Sequence, residues 1–255
     1  MILAVETSSA TASAAVVDPR GAPLGESRPA ESAHQARRLL ECVDEAFAAA
    51  GATMADVETV VCGLGPGTFT GVRIGVATAR ALAQAGDLQL AGVPSLEALA
   101  RGLAGGEAGA SASTFVPLID GRRGEVFAAV YRRVGPAAAL GHTRLEPLVG
   151  LTVVALDGLA AFLAPWPGAL VGGDGALLHA DRLPPGVVHE RAVAAPDALM
   201  VARAFLAGSP AVTRGFAATL PIYGREPDAV PGAAPPPGRA AARGEEPPTG
   251  GGGAR

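Results

Sequence analysis

The chain alternates between short β-branched apolar runs, which read as buried strands, and longer stretches whose apolar residues recur every third or fourth position, which read as helices. Ile2 to Val5 is the first apolar strand, Glu6-Thr7-Ser8-Ser9 a polar turn, and Ala12 to Val17 a second strand. Asp18-Pro19-Arg20-Gly21 carries strong turn chemistry and makes room for a third strand near Leu24 to Arg28. An amphipathic helix follows from Ser32 to Ala50, with Ala36, Leu39, Leu40, Val43, Phe47 and Ala50 at helical spacing, and Gly51 ends it. Val57 to Cys62 reads as a buried strand, Leu88 to Ala91 as another, and Pro94-Ser95 opens a helix to Ala104.

Small and polar residues from Gly105 to Ser113 mark a boundary, and beyond them the pattern starts again. Phe115 to Ile119 is a strand, Asp120-Gly121-Arg122-Arg123-Gly124 a turn, and Glu125 to Tyr131 a second strand. A strand at Arg144 to Val149, a helix at Asp157 to Ala164 and a strand at Ala169 to Val171 come next. A short helix, a strand at Val187 and Val188 and a helix from Pro196 to Ala207 complete this half. Two halves with the same element order imply a two-lobed α/β protein with a mixed sheet in each lobe. The lobes are expected at 1–106 and 107–224. Residues 225–255 are Pro, Gly, Ala and charge, too poor in apolar surface to offset ordering entropy, and are expected to be a disordered tail.

One stretch stands out between the strand at 57–62 and the helix after it: Gly63-Leu64-Gly65-Pro66-Gly67-Thr68-Phe69-Thr70-Gly71. Thr70 is placed to cap a helix beginning near Gly71. Within that helix Gly71, Gly75, Ala79 and Ala83 share one face. A seam with so little side chain lets a neighbour approach closely. Internal packing on the protein's own sheet and a helix from another subunit both fit it. The loop meets no phosphate-binding fingerprint: a threonine stands where the last glycine of the dinucleotide pattern belongs, and without any lysine in the chain a P-loop is impossible. No Gly-x-Ser-x-Gly nucleophile elbow occurs either.

Composition narrows the function classes. A formal charge of −4 argues against a free-standing nucleic-acid binder. Cys42 and Cys62 lack a Cys-x-x-Cys arrangement and read as buried free thiols. Glu6 interrupts a short N-terminal apolar run that has no basic region before it, and no run reaches spanning length, so a cytoplasmic protein without membrane contact is expected.

Candidate chemistry is sparse. His34, His142, His179 and His189 are scattered, without a His-Glu-x-x-His pair, although His179 with Asp181 or His189 with Glu190 would form weak metal pairs. Glu6 and Asp120 end corresponding strands of the two halves, as paired magnesium-holding carboxylates of a phosphotransferase would. The alternative, favoured by the bulky Arg122-Arg123 in the second turn, is that each carboxylate accepts hydrogen bonds from its own turn. Gly172-Gly173-Asp174-Gly175 suits either close approach of a nucleotide or a tight strand-to-helix turn.

Residues 63–80 closely resemble the signature loop and helix of the bacterial TsaB (YeaZ) family. Ile2 to Ser8, Asp120 to Tyr131, Gly173-Asp174-Gly175-Ala176 and Pro221-Ile222-Tyr223 resemble further motifs of that family. Two positions depart from it: Glu6 stands where aspartate is commoner, and Gly224 where leucine is usual. The resemblance implies an actin-like, RNase-H-like (ASKHA) fold and a role in making threonylcarbamoyladenosine beside the tRNA anticodon. It implies a non-catalytic subunit with no metal site or cofactor of its own, partnered by the catalytic TsaD paralogue and the ATPase TsaE. ATP or ADP with magnesium would sit at the complex interface, tRNA would be met only within the complex, and the isolated chain could form a homodimer. The partner surface would comprise the helices at about 34–50 and 71–85, with Leu39, Leu40, Val43, Phe47, Gly71, Val72, Gly75 and Ala79. Glu6, Thr7, Asp120, Gly173 and Asp174 would lie nearest a nucleotide. Other readings compatible with the fold are an independent small-molecule kinase using Glu6 and Asp120, a peptidase, or a homodimeric regulator without a tRNA connection.

Overall fold

The computed structural model describes residues 1–29, 35–135 and 143–224. His34, His142, the expected helix start at Ser32 and the expected tail at 225–255 lie outside the described residues.

The first hairpin and its third strand form β1 (Ile2–Glu6), β2 (Ser13–Val17) and β3 (Pro23–Ser27), followed by helix α1 (Gln35–Ala50). Strand β4 (Thr59–Gly63), helix α2 (Phe69–Ala85), strand β5 (Gln89–Val93) and helix α3 (Ser95–Gly105) come next. The second half contributes β6 (Thr114–Arg122), β7 (Glu125–Val134) and β8 (Arg144–Ala155), helix α4 (Leu159–Leu163), β9 (Leu170–Gly172), helix α5 (Asp174–Leu178) and β10 (Val188–Glu190). Helix α6 (Ala198–Leu206) and the two-residue strand β11 (Thr213–Arg214) follow.

These strands make two mixed sheets. One is six-stranded in the order β11-β5-β4-β1-β2-β3; the other is five-stranded in the order β10-β9-β6-β7-β8. In the first, β1 pairs β4 in parallel and β2 antiparallel; in the second, β6 pairs β9 in parallel and β7 antiparallel.

The strand period of two sorts the core. Leu3, Val5, Val16, Val60 and Cys62 face α1 and α2, meeting Leu39, Val43, Val72, Val76, Ala79 and Ala83. Ile2, Ala4, Val17, Val61 and Val93 face the other way, against Ala98 of α3 and Ala198, Val201 and Ala202 of α6. With both faces covered, these strands are apolar throughout rather than alternating. In the second sheet Phe115, Ile119, Phe127 and Tyr131 pack under Leu96, Leu99 and Leu103 of α3. Its opposite face, with Val116, Leu118 and Val126, packs on Leu159 and Leu163 of α4 and Ala176 of α5. Helix α3 therefore belongs to the cores of both sheets.

Three expectations need correction. First, α2 begins at Phe69, not near Gly71: the Thr68 carbonyl already accepts the first helical bond, from Val72 N at 3.0 Å. Thr70 lies inside the helix, and the Thr68 side chain makes no capping bond. Second, the lobes do not divide as 1–106 and 107–224, because α6 packs on the first sheet and β11 pairs with β5 at that sheet's edge. Third, β8 runs on to Ala155, where a strand ending at Val149 was expected. No helix among the described residues is long and apolar enough to cross a membrane.

The return of α6 to the first sheet depends on its start. The Asp197 side chain caps the helix, accepting from Met200 N at 2.8 Å, while the Ser13 hydroxyl accepts from Ala198 N at 3.0 Å. Asp197→Ala is expected to lower stability by about 1 kcal/mol, with Asp197→Asn recovering most of it. Urea denaturation midpoints of the three proteins check this.

Candidate functional site

The turn after β1, the glycine loop and the start of α3 form one interlocked unit. Glu6 ends β1 and is 1% exposed. Its Oε1 accepts the backbone N–H groups of Thr7 at 2.6 Å and Ser8 at 2.5 Å. Its Oε2 accepts the Ser95 hydroxyl at 2.8 Å, and that hydroxyl oxygen accepts Gly65 N at 3.1 Å. Ser95 N donates to the Gly65 carbonyl at 2.8 Å, closing the circuit. Burial pushes the Glu6 carboxyl above its ordinary value, and the Ser8 and Ser95 donors pull against that without reversing it.

The glycines of the loop are spaces for neighbouring groups. A Cβ on Gly63 would stand 2.0 Å from Glu6 Oε2, and one on Gly67 would stand 2.2 Å from the Ser8 carbonyl. That carbonyl accepts Thr68 N at 2.8 Å, which positions the first turn of α2. Thr7 is wholly buried, and its hydroxyl donates to the Gly71 carbonyl at 2.7 Å. A Cβ on Gly75 would meet Thr7 Oγ1 at 2.2 Å. The small-residue face of α2 is thus filled from within the chain, by Thr7 and the first sheet.

This settles which proposed surface residues are accessible. Six of the eight expected partner contacts, namely Leu39, Val43, Gly71, Val72, Gly75 and Ala79, are buried in the protein's own core. Internal packing accounts for the seam. Only Leu40, 52% exposed, and the half-buried Phe47 reach the outer side. The outward positions on α2 include Phe69, Thr70, Arg73, Ala77 and Ala81, and Phe69 is 49% exposed. The Phe69 ring lies 5.1 Å from that of Tyr223, and the Arg73 guanidinium sits 4.7 Å from its centre. The sequence reading missed this cluster, because Phe69 fell in the loop and Tyr223 comes from a distant segment.

The second-lobe residues form a separate group. Asp174, the first residue of α5, accepts Asp120 N on Oδ1 at 2.9 Å, and Asp120 Oδ1 accepts Arg122 N at 3.1 Å. His179 Nε2 lies 3.5 Å from Asp120 Oδ1. Burial raises the Asp174 carboxyl, with the Asp120 charge adding to it against backbone donors. Gly173 has φ +110°, and a Cβ there would stand 2.1 Å from the Leu118 carbonyl. The glycine-rich turn is therefore pressed onto β6, the tight strand-to-helix connection of the two alternatives. Glu6 and Asp120 each accept hydrogen bonds from their own turns, and no hydrogen bond or ion pair joins them. Glu6 and Thr7, expected nearest a nucleotide, are instead buried beneath the loop. Among the described residues no group of three or more His, Cys, Asp or Glu side chains is placed to hold a metal ion.

Comparison with known proteins places this geometry. The family model for TsaD, tRNA N6-adenosine threonylcarbamoyltransferase, matches residues 28–156. YeaZ from Pseudomonas aeruginosa superposes with a TM-score of 0.70 at 26% identity, over 87% of this chain and 98% of that one. The chain belongs to this family, on its TsaB/YeaZ branch. TsaB of Escherichia coli, a tRNA threonylcarbamoyladenosine biosynthesis protein, is 38% identical over 97 residues, covering 38% of this chain and 41% of that protein. An uncharacterized protein of Mycobacterium tuberculosis is 37% identical over 141 residues, 53% of this chain. The match spans 63% of the length of that mycobacterial relative. The two-lobed TsaB/YeaZ architecture accounts for the paired sheets described above.

The Glu6 circuit has two measurable consequences. Glu6→Ala leaves Thr7 N, Ser8 N and the Ser95 hydroxyl without their acceptor and is expected to cost about 3 kcal/mol or more; Gly75→Leu, driven into Thr7, is expected to destabilise comparably. Because the folded carboxyl titrates above its ordinary 4.5, its contribution to stability is full below that pH and is lost as pH rises through the folded value. Denaturation of wild type and Glu6→Gln across this range is expected to show a fall with pH in wild type that the glutamine variant lacks.

Proposed function

We propose that the chain is a non-catalytic subunit in tRNA threonylcarbamoyladenosine synthesis, pairing with a TsaD paralogue through the outer faces of α1 and α2. One observation carries this reading: the carboxylate best placed for chemistry, Glu6, is occupied by three internal donors, whereas the helical layer beside it keeps Leu40 and Phe69 about half exposed. Large apolar side chains held at a surface beside charged neighbours suit a protein partner. The Phe69–Tyr223–Arg73 stack adds a preordered aromatic anchor of the kind that dominates interface energetics. The kinship with TsaB of Escherichia coli supports the same pathway.

Within that complex the partner TsaD performs the transfer and TsaE supplies ATPase activity. ATP or ADP with magnesium sits at the interface, and tRNA is engaged only by the assembly. In the absence of TsaD the same outer faces serve a homodimer. A kinase or peptidase of this fold is the less favoured alternative, since Glu6 is enclosed.

The test is reconstitution of threonylcarbamoyl transfer to tRNA with TsaD, TsaE, ATP and the activated donor, with and without this chain. Modification is expected to collapse on omission; equal modification without the chain would overturn the proposal. Leu40→Asp and Phe69→Asp, both on outward faces, are expected to weaken pairing with TsaD by about tenfold or more while leaving the circular dichroism spectrum unchanged.

A further inference from the structure

A cavity of about 260 Å³ lies between the start of α3, the β7–β8 side of the second sheet and the segment at 209–211. Its walls are mostly apolar, with Pro94, Leu96, Leu145 and Pro147 among them. An apolar cavity of about 150 Å³ already admits benzene, so a substituted ring fits here. The polar side chains of its lining are few: Glu97, Ser209 and Tyr131.

Their bonding defines what the cavity accepts. Glu97 is 3% exposed, and its Oε1 accepts Arg101 Nε at 3.2 Å and Nη2 at 2.9 Å. Its Oε2 accepts the Ser209 hydroxyl at 2.7 Å, leaving acceptor capacity on that oxygen. The carboxylate charge is thus already balanced by Arg101, and a net charge brought in by a ligand would go uncompensated. Tyr131 is 9% exposed, and no described residue hydrogen-bonds its hydroxyl. Burial, reinforced by the nearby Glu97 charge, pushes its ionisation upward and keeps the O–H intact. A group that can both donate to Glu97 and accept from Tyr131 completes the set, and a hydroxyl does both.

We infer that this cavity is a binding site for an uncharged, ring-sized alcohol or phenol, its ring against the proline and leucine walls and its hydroxyl between Tyr131 and Glu97. The site uses neither Glu6 nor Asp120 nor the outer faces of α1 and α2, and so stands apart from the proposed pairing.

Phenol and toluene, titrated into the full chain and followed by protein NMR shifts, test it. Phenol is expected to bind saturably and more tightly than toluene. Tyr131→Phe is expected to weaken phenol by about tenfold and leave toluene unchanged. Absence of saturable phenol binding to wild type, or equal effects of Tyr131→Phe on the two probes, would each overturn the inference.

Discussion

The Glu6 carboxylate is the constraint on which the first lobe depends. A buried ionisable group is tolerated only when its hydrogen-bonding capacity is met, and here the acceptors meet donors from two separate places in the chain, with a third tied in behind them. Thr7 and Ser8 belong to the turn after β1, Ser95 opens α3, and Gly65 joins through the Ser95 oxygen. The glycines at 63, 67 and 75 follow from this arrangement rather than from a ligand, since any Cβ there would strike Glu6, Ser8 or Thr7. The glycine-rich loop, which matches no phosphate-binding fingerprint, is shaped around a carboxylate and a turn.

That use of Glu6 separates structural from functional chemistry. A magnesium-holding carboxylate needs at least one oxygen turned to solvent or to a ligand, and Glu6 is 1% exposed with both oxygens engaged. Asp120, the matching position of the second lobe, is more open but is likewise held in its own turn by Arg122 N. Among the large apolar side chains left exposed are Leu40 of α1 and Phe69 of α2.

Much of the fold was legible in the sequence because its strands are apolar and β-branched and its helices amphipathic, which are local signals. The third strand, β4 and the repeat of element order all came from such patterns. The signals failed where a choice depends on a distant partner. A glycine-alanine face on α2 is compatible with any close neighbour, and only the position of Thr7 opposite Gly75 decides that the neighbour is internal. Thr68 and Thr70 are equivalent as capping residues by type; the bond from Thr68 N to the Ser8 carbonyl, sixty residues away by sequence order, selects the earlier start. The return of α6 and β11 to the first sheet leaves no mark in local periodicity, because a helix looks the same whichever sheet it covers. The Phe69–Tyr223 contact was hidden for the same reason.

Helix α3 then explains why the two lobes form one framework. It carries Ser95, bound to Glu6, then Glu97, bound to Ser209, then Arg101, bound to the Thr143 carbonyl at 2.7 Å. The Glu97–Arg101 pair is almost fully buried, with side-chain exposures of 3% and 2%. Such a pair adds little net stability over an apolar substitute, but breaking it leaves an uncompensated charge in the core. Its effect is geometric: sliding or rotating α3 against either sheet would have to break several buried polar contacts together. With its shared helix fastened to β1, to the segment after α6 and to the residue before β8, the chain holds its two sheets in one arrangement.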